Sequence, residues 1–202
     1  MTVKADGRSK PRPGIEEQRR IIVAAATRLF AEQQASSVSV AELCREASVS
    51  RPTFYRCFDD KEALLSWVYD LAVHRYVEQI DFAEIPRDVP TEQWIRERVE
   101  RIVEQVFSEP DLARFVFVEY GDPGSPVRDL VNQRFRETAL ELTSRLRAAT
   151  GRTPSVRYVE SVFASIQWIL FETLRVGLTP ARVEEAKQAV WEASMSMLHV
   201  AR

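Results

Sequence analysis

Between Ser39 and Lys61 stands a group of side chains suited to gripping a polyanion rather than to breaking bonds. Arg51, Thr53 and Tyr55 follow one another at every second position, and Lys61 lies six residues further on. A guanidinium like that of Arg51 can read a guanine edge through two parallel hydrogen bonds. The Tyr55 hydroxyl and the Lys61 ammonium suit phosphate oxygens. The Ser39 and Ser50 hydroxyls belong to the same group. Bond-making chemistry has no comparable set. The two histidines, His74 and His199, adjoin neither a nucleophile nor a metal-ligand cluster. The carboxylates are spread along helix faces, and no Gly-rich phosphate loop is present. Cys44 and Cys57 are too few and too oddly spaced for a disulfide framework or a zinc site. Cys57 as a redox switch weighs little against a thiol packed in a small core. The sequence therefore predicts no catalytic residue, no metal and no cofactor, and a protein that is not an enzyme.

The elements that would hold this group are legible. Ser39 is a good N-cap, and Glu42 three residues on completes a capping box. A helix follows over Val40–Ala47, with Val40, Leu43 and Ala47 on one face. Ser48-Val49-Ser50 has room only for a tight turn. Ser50 caps a second helix over about Arg51–Phe58, and Pro52 falls in its first turn, where a missing N–H does no harm. Phe54 and Phe58, four apart, face inward. Two short helices joined by such a turn are a helix-turn-helix unit, whose second helix puts its N-terminal residues on base edges. Before it, Ile15–Gln33 reads as a helix, with Ile22, Ala25, Ala26, Leu29 and Phe30 as its apolar stripe. Arg19 and Arg20, on its other faces, are further candidates for phosphate.

Charge supports a nucleic-acid role for the N-terminal part alone. Residues 1–61 hold 11 Lys/Arg against 8 Asp/Glu, and the remainder 17 against 22. A basic first third on an acidic body points one end of the molecule at a polyanion. Residues 1–14, with Lys4, Arg8, Lys10 and Arg12 among two Pro and two Gly, read as a flexible basic arm.

Residues 16–70 resemble the tetracycline-repressor (TetR) family of bacterial transcription regulators. The resemblance is carried by Val49-Ser50, Phe54-Tyr55, Phe58 and Lys61-Glu62-Ala63-Leu64, preceded by Leu29-Phe30. The spacing of Tyr55, Phe58, Lys61 and Leu64 is its most specific part. Two positions depart from it: Ser48 stands where the family usually has Gly, and Gln33-Gln34 replaces a common Gly. The resemblance implies a DNA-binding regulator, a repressor that leaves a palindromic operator when a small, largely apolar effector binds. Three other readings stay open: an activator, a regulator without a ligand, or a helical small-molecule-binding protein that has lost DNA binding.

The rest of the chain reads as an all-α body, giving about nine helices in total. The expected organisation is an arm over 1–14, a helix-turn-helix domain over 15–62, and a regulatory and dimerisation domain over 63–202. A helix over about 61–80 links the last two, and a proline-bearing break covers 81–92. Helices are expected over Thr91–Phe107, Asp111–Tyr120, Val127–Ala149, from Ser155 to Arg175, and from Pro180 to about Val200. The penultimate helix is apolar on two faces and so needs partners on both. Its Tyr158, Ser161, Ser165, Trp168 and Glu172 stripe, with Val190 and Met197 of the last helix, is the expected face for a second copy. By the family resemblance, the two last helices pair with their copies as a four-helix bundle. The resemblance also implies an effector cavity, for which Trp94, Phe107, Phe115, Tyr120, Phe163 and Gln167 are the lining candidates, although residue by residue the rings read rather as filling the core. No apolar run approaches the ~20 residues of a membrane span, and no signal-peptide core opens the chain. No membrane partner is expected, and a cytoplasmic location is.

Overall fold

A computed structural model of the chain describes residues 14–78, 85–86 and 88–200. The basic arm and part of the 81–92 break lie outside the described residues. Helix α1 is Ile15–Glu32, followed by a 3₁₀ turn at Ala35–Ser37, α2 (Val40–Glu46), α3 (Arg51–Cys57) and α4 (Lys61–Val73). The chain leaves α4 through one π turn, His74–Glu78. Then come α5 (Thr91–Ser108), α6 (Pro110–Gly121), α7 (Pro126–Thr150), α8 (Val156–Val176) and α9 (Pro180–Val200). Every boundary follows the sequence reading to within a residue or so, except the end of α4. There the α-helix stops at Val73 instead of running on towards 80.

Local chemistry explains the short helices. The Ser39 hydroxyl accepts the Glu42 N–H, and the Glu42 carboxylate accepts the Ser39 N–H at 2.8 Å, so the capping box is closed. That backbone bond is the chief reason the Glu42 carboxyl lies below its usual range. Ser50 caps α3 by accepting the Thr53 N–H, and Asp60 caps α4 by accepting the Ala63 N–H. Between α2 and α3 the Val49 N–H bonds to the Cys44 carbonyl and the Ser48 N–H to the Arg45 carbonyl. This is the Schellman pattern, and it places Ser48 at the left-handed position with φ +52°. The turn keeps the geometry that a glycine would take without strain, and serine accepts the cost.

Two apolar clusters share α6. The first joins Ile22, Ala26 and Phe30 of α1 to Leu43, Phe54, Phe58, Leu64 and Val68, and takes in Leu112 and Phe115 of α6 with Val127 and Val131 of α7. The second holds Trp94, Val99 and Val103 of α5, Ala113 of α6, Leu142 and Leu146 of α7, and inward residues of α8 and α9. Among the described residues the most extensive helix pairing is that of α1 with α6. The head formed by α1–α3 is therefore seated on the body, and the 62/63 boundary is no gap in the packing.

Removing the strain at Ser48 gives a direct check on this turn. A left-handed non-glycine residue costs about 1 kcal/mol, so Ser48→Gly should raise unfolding stability by about that amount in urea or thermal melts. An unchanged or lowered midpoint would contradict the left-handed assignment.

Candidate nucleic-acid interface and body cavity

The start of α3 is exposed on the head, as are Ser48 and Ser50 of the turn before it. Arg51, Pro52 and Tyr55 are exposed, Tyr55 by 54%, while Phe54, Cys57 and Phe58 are buried beneath them. Phe54 meets the Tyr55 ring edge-on at 5.4 Å between centroids, which fixes the base of the phenol while its hydroxyl end reaches outward. Thr53 is half-buried, and its hydroxyl shares a 2.9 Å hydrogen bond with that of Ser50. Ser39 and Ser50 are caps first, exposed at the N-termini of α2 and α3. Both thiols, Cys44 and Cys57, are buried and unpaired with each other.

Three basic residues turn out to hold the head together. The Arg19 guanidinium donates to the Cys57 carbonyl at the end of α3 (3.3 Å) and lies 5.5 Å from the Trp67 ring centre. Arg56 donates to the buried Gln18 side chain of α1. The Lys61 ammonium donates to the carbonyls of Ala35 and Val38, at 2.8 and 3.0 Å. With two of its three N–H groups so used, one remains for a phosphate. Arg45, by contrast, is exposed in the last turn of α2. The sequence reading passed over it, although a basic residue at that end of the first helix of the pair was there to be seen.

Ala35 is gripped from both sides. Its carbonyl takes the Lys61 bond, and its N–H donates to Glu119 Oε1 of α6 at 2.6 Å. Glu119 Oε2 accepts from the Ser125 hydroxyl at 2.5 Å, and the side chain is 1% exposed. The carboxylate thus links head to body across 84 residues of sequence. Phe30 and Phe115 add a ring contact beside it, 5.9 Å between centroids.

The body holds a partly open cavity of about 220 Å³ walled by α4 to α9. Of the lining candidates, Trp94, Phe163 and Gln167 are in its wall and Phe107, Phe115 and Tyr120 are not. On α5 the inward row is Trp94, Ile95, Val99, Ile102 and Val106. Phe107 is one position, about 100°, further round. On α6 the cavity receives Ala113, Val116 and Phe117, so Phe115 turns the other way, onto Phe30. Tyr120 lies past the cavity at the end of α6, against Phe135 and bonded to Asn132 at 3.3 Å. Burial pushes the Tyr69 phenol in the wall up to about 12, and raises that of Tyr76 as well, so both are neutral at ordinary pH.

The face expected for a second copy divides in two. Ser161, Ala164, Ser165 and Trp168 are exposed along α8, Trp168 by 61%, with Glu172 continuing the stripe and paired to Arg175 at 2.7 Å. The Ser161 and Ser165 hydroxyls donate back to the Arg157 and Ser161 carbonyls. Val190 and Met197 do not belong to it. Val190 is fully buried, and Met197 is buried and lines the cavity. The α9 seam Ala186, Val190, Met197 is turned towards its own protomer. Tyr158 is half-buried and bonds to Ser196 of α9 at 2.9 Å, again within the protomer.

A helix-turn-helix head on an all-α body with a central cavity defines a class, and the comparisons narrow it. Residues 22–67 match the profile described as bacterial regulatory proteins, tetR family. Over those residues the chain is similar to the N-terminal domain of that family. Over 108 residues it is 32% identical to the HTH-type transcriptional regulator EthR of Mycolicibacterium smegmatis, covering 54% of this chain and 50% of that protein. The chain spans half or less of the length of the named relatives that it matches in sequence. Among solved structures, a tetR-family transcriptional regulator from Streptomyces coelicolor superposes with a TM-score of 0.61 at 24% identity, over 91% of this chain and 82% of that one. TylP, a tetR regulator from Streptomyces fradiae, does so with 0.65 at 16% identity, over 94% and 88%. These likenesses extend the shared fold across the body. The sequence relatives are regulators, which accords with a protein that is not an enzyme.

The Glu119 link predicts a stability effect far from any ligand. Glu119→Ala strands the buried Ala35 N–H and Ser125 hydroxyl, at about 1–3 kcal/mol each. We expect a loss of about 3 kcal/mol in urea unfolding, and a smaller one for Glu119→Gln, which keeps an acceptor. A loss below about 0.5 kcal/mol for Glu119→Ala would contradict the link.

Proposed function

We propose that the protein is a homodimeric, sequence-specific DNA-binding transcriptional regulator, a repressor released from its operator by a small, largely apolar effector. The observation that carries the reading is the α3 N-terminus. It is a capped, rigidly seated helix start whose outward side chains are Arg51 and Tyr55. Arg51 reads base edges. Tyr55, Arg45 and the remaining Lys61 N–H hold phosphates, and Ser39 and Ser50 present the helix ends to the backbone. The basic arm before α1 adds phosphate or minor-groove contact. A cytoplasmic location goes with this role. No described helix is long and apolar enough to cross a membrane.

Dimerisation supplies the second half-site that specificity requires. The exposed α8 stripe supports it: small Ser161, Ala164 and Ser165 allow close helix approach, and the two serine hydroxyls are already satisfied within the helix. Trp168 is the apolar anchor at its centre. Effector control is supported by the cavity. Its lining is almost wholly apolar, and a ligand that filled it would restore the packing contacts those side chains lack. Helix α6 connects the two, since Ala113, Val116 and Phe117 face the cavity while Phe115 and Glu119 hold α1. A ligand that displaces α6 alters the setting of the head.

Titration of the protein onto duplex DNA from upstream of its own gene tests the assignment. Arg51→Ala should cost about 1–3 kcal/mol at the specific site and relax base preference. Tyr55→Phe should weaken binding to all sequences alike. Unchanged sequence preference in Arg51→Ala would remove that residue from base reading. Trp168→Glu should give a monomer in sedimentation analysis, and a stable dimer in that variant would move the interface elsewhere.

A further inference from the structure

We propose that the cavity takes an otherwise apolar molecule bearing a carbonyl oxygen, and that the Tyr69 hydroxyl donates a hydrogen bond to that oxygen. This rests on the effector reading above and deepens it to a ligand class. Tyr69 belongs to α4 and stands in the cavity wall, 6% exposed. A buried tyrosine hydroxyl ordinarily finds a hydrogen-bond partner. Tyr76, two turns further on in the same wall, has one: it donates to the Glu109 carbonyl at 3.0 Å. The Tyr69 hydroxyl bonds to no described residue. The Trp94 indole N–H and the Gln167 carbonyl oxygen are unpartnered too, but they are sealed within the protein, whereas the Tyr69 hydroxyl is not. It is a buried donor that a molecule in the cavity can satisfy.

Its surroundings add donors. Arg134 and Thr138 of α7 are four apart, on one face of the helix, and both are in the wall. After burial, which raises it, the charge that acts most on the Tyr69 phenol is that of Arg134, opposed by Asp70 and Glu137. The phenol therefore lies towards this side of α7. Thr150 and Thr173 spend their hydroxyls on the carbonyls of Leu146 and Ile169, four residues back, but Thr138 makes no such bond. Arg134 meets Glu137 through one nitrogen at 3.5 Å, and a guanidinium has five N–H groups. A hydrocarbon in the cavity would leave the Tyr69 hydroxyl unsatisfied. An alcohol would bring a further proton to a corner already supplied with them. A carbonyl oxygen has two lone pairs and no proton to place. Val99, Ile102, Phe117 and Leu142 suit the apolar remainder. The cavity holds several times the ~30 Å³ share of one water, room for a ring with a short chain. Ketones, esters and carboxylates all present such an oxygen, and Arg134 would favour the last.

Three probes of matched size test this: 4-propylacetophenone, the alkene in which a methylene group replaces its carbonyl oxygen, and 4-propylbenzoate. Each is titrated calorimetrically into the full chain at neutral pH, with operator affinity measured in parallel. The ketone should bind about three- to tenfold tighter than the alkene. Tyr69→Phe loses only an unpartnered hydroxyl and should melt no lower than the parent protein. It should bind the alkene as before and bring the ketone-to-alkene ratio close to one. The tighter of ketone and benzoate, if weakened in Tyr69→Phe, supports the proposal and selects the neutral or the charged form of the carbonyl. Equal binding of ketone and alkene, or an undiminished ratio in Tyr69→Phe, overturns the proposal and leaves the effector reading standing. Failure of all three to bind overturns both. Ketone preference with unaltered operator affinity supports the ligand class and removes only the effector role of that probe.

Discussion

A buried carboxylate cannot be left without donors, and the Glu119 carboxylate finds its donors in two places at once. One oxygen takes the Ala35 N–H of the head and the other the Ser125 hydroxyl at the start of α7. Lys61 completes the arrangement from the opposite side by donating to the Ala35 and Val38 carbonyls. The linker between α1 and α2 is thereby pinned to α6 and to α4 together. Because α2 begins only a few residues later, and α3 is packed on α1 and α2, the outward direction of Arg51 and Tyr55 depends on this polar junction together with the Phe30–Phe115 contact, the apolar cluster around it and the Arg19 and Arg56 bonds between α1 and α3.

The same helix that receives the head forms part of the cavity wall, and so does α4 through Tyr69, Ala72, Val73 and Tyr76. Where α4 gives way to a π turn, Tyr76 bonds to the Glu109 carbonyl and Arg75 reaches the Glu109 carboxylate at 3.4 Å. Glu109 is the joint between α5 and α6. The exit of α4 is therefore tied to the joint from which α6 starts, and both helices that carry the head also form cavity wall. π turns of this kind recur at functional sites because they re-aim a side chain inside an otherwise regular helix. Here the side chain that is re-aimed is Tyr76, at once wall and tether.

How much of this could be read from the sequence depends on whether the cause was local. Ser39 with Glu42, Ser50 with Pro52, and the Phe54–Phe58 pair act within a few residues, and the helix-turn-helix stood out from them. Ser48 could be recognised as a residue where glycine is usual, though not whether the turn would yield; the Schellman bonds keep it left-handed. Long-range partners were not legible. Nothing around Glu119 marks it as the acceptor for an N–H 84 positions away. Lys61 read as a phosphate ligand because its two carbonyl partners come from a different segment. Phe107, Phe115 and Tyr120 read as wall, and Val190 and Met197 as interface, because apolar residues on a helix show that a face is covered and not what covers it. Arg45 escaped notice because one exposed arginine carries little signal until the turn beside it is placed.

Enrichment of bound sequences from a pool of random duplex DNA by the purified full-length protein tests the central claim most directly. The account predicts convergence on a palindrome whose half-sites repeat at one helical turn or a multiple of it, with the enriched base positions lost in Arg51→Ala. Recovery of a pool no different from the input at moderate salt, or an unchanged motif with Arg51→Ala, would contradict it.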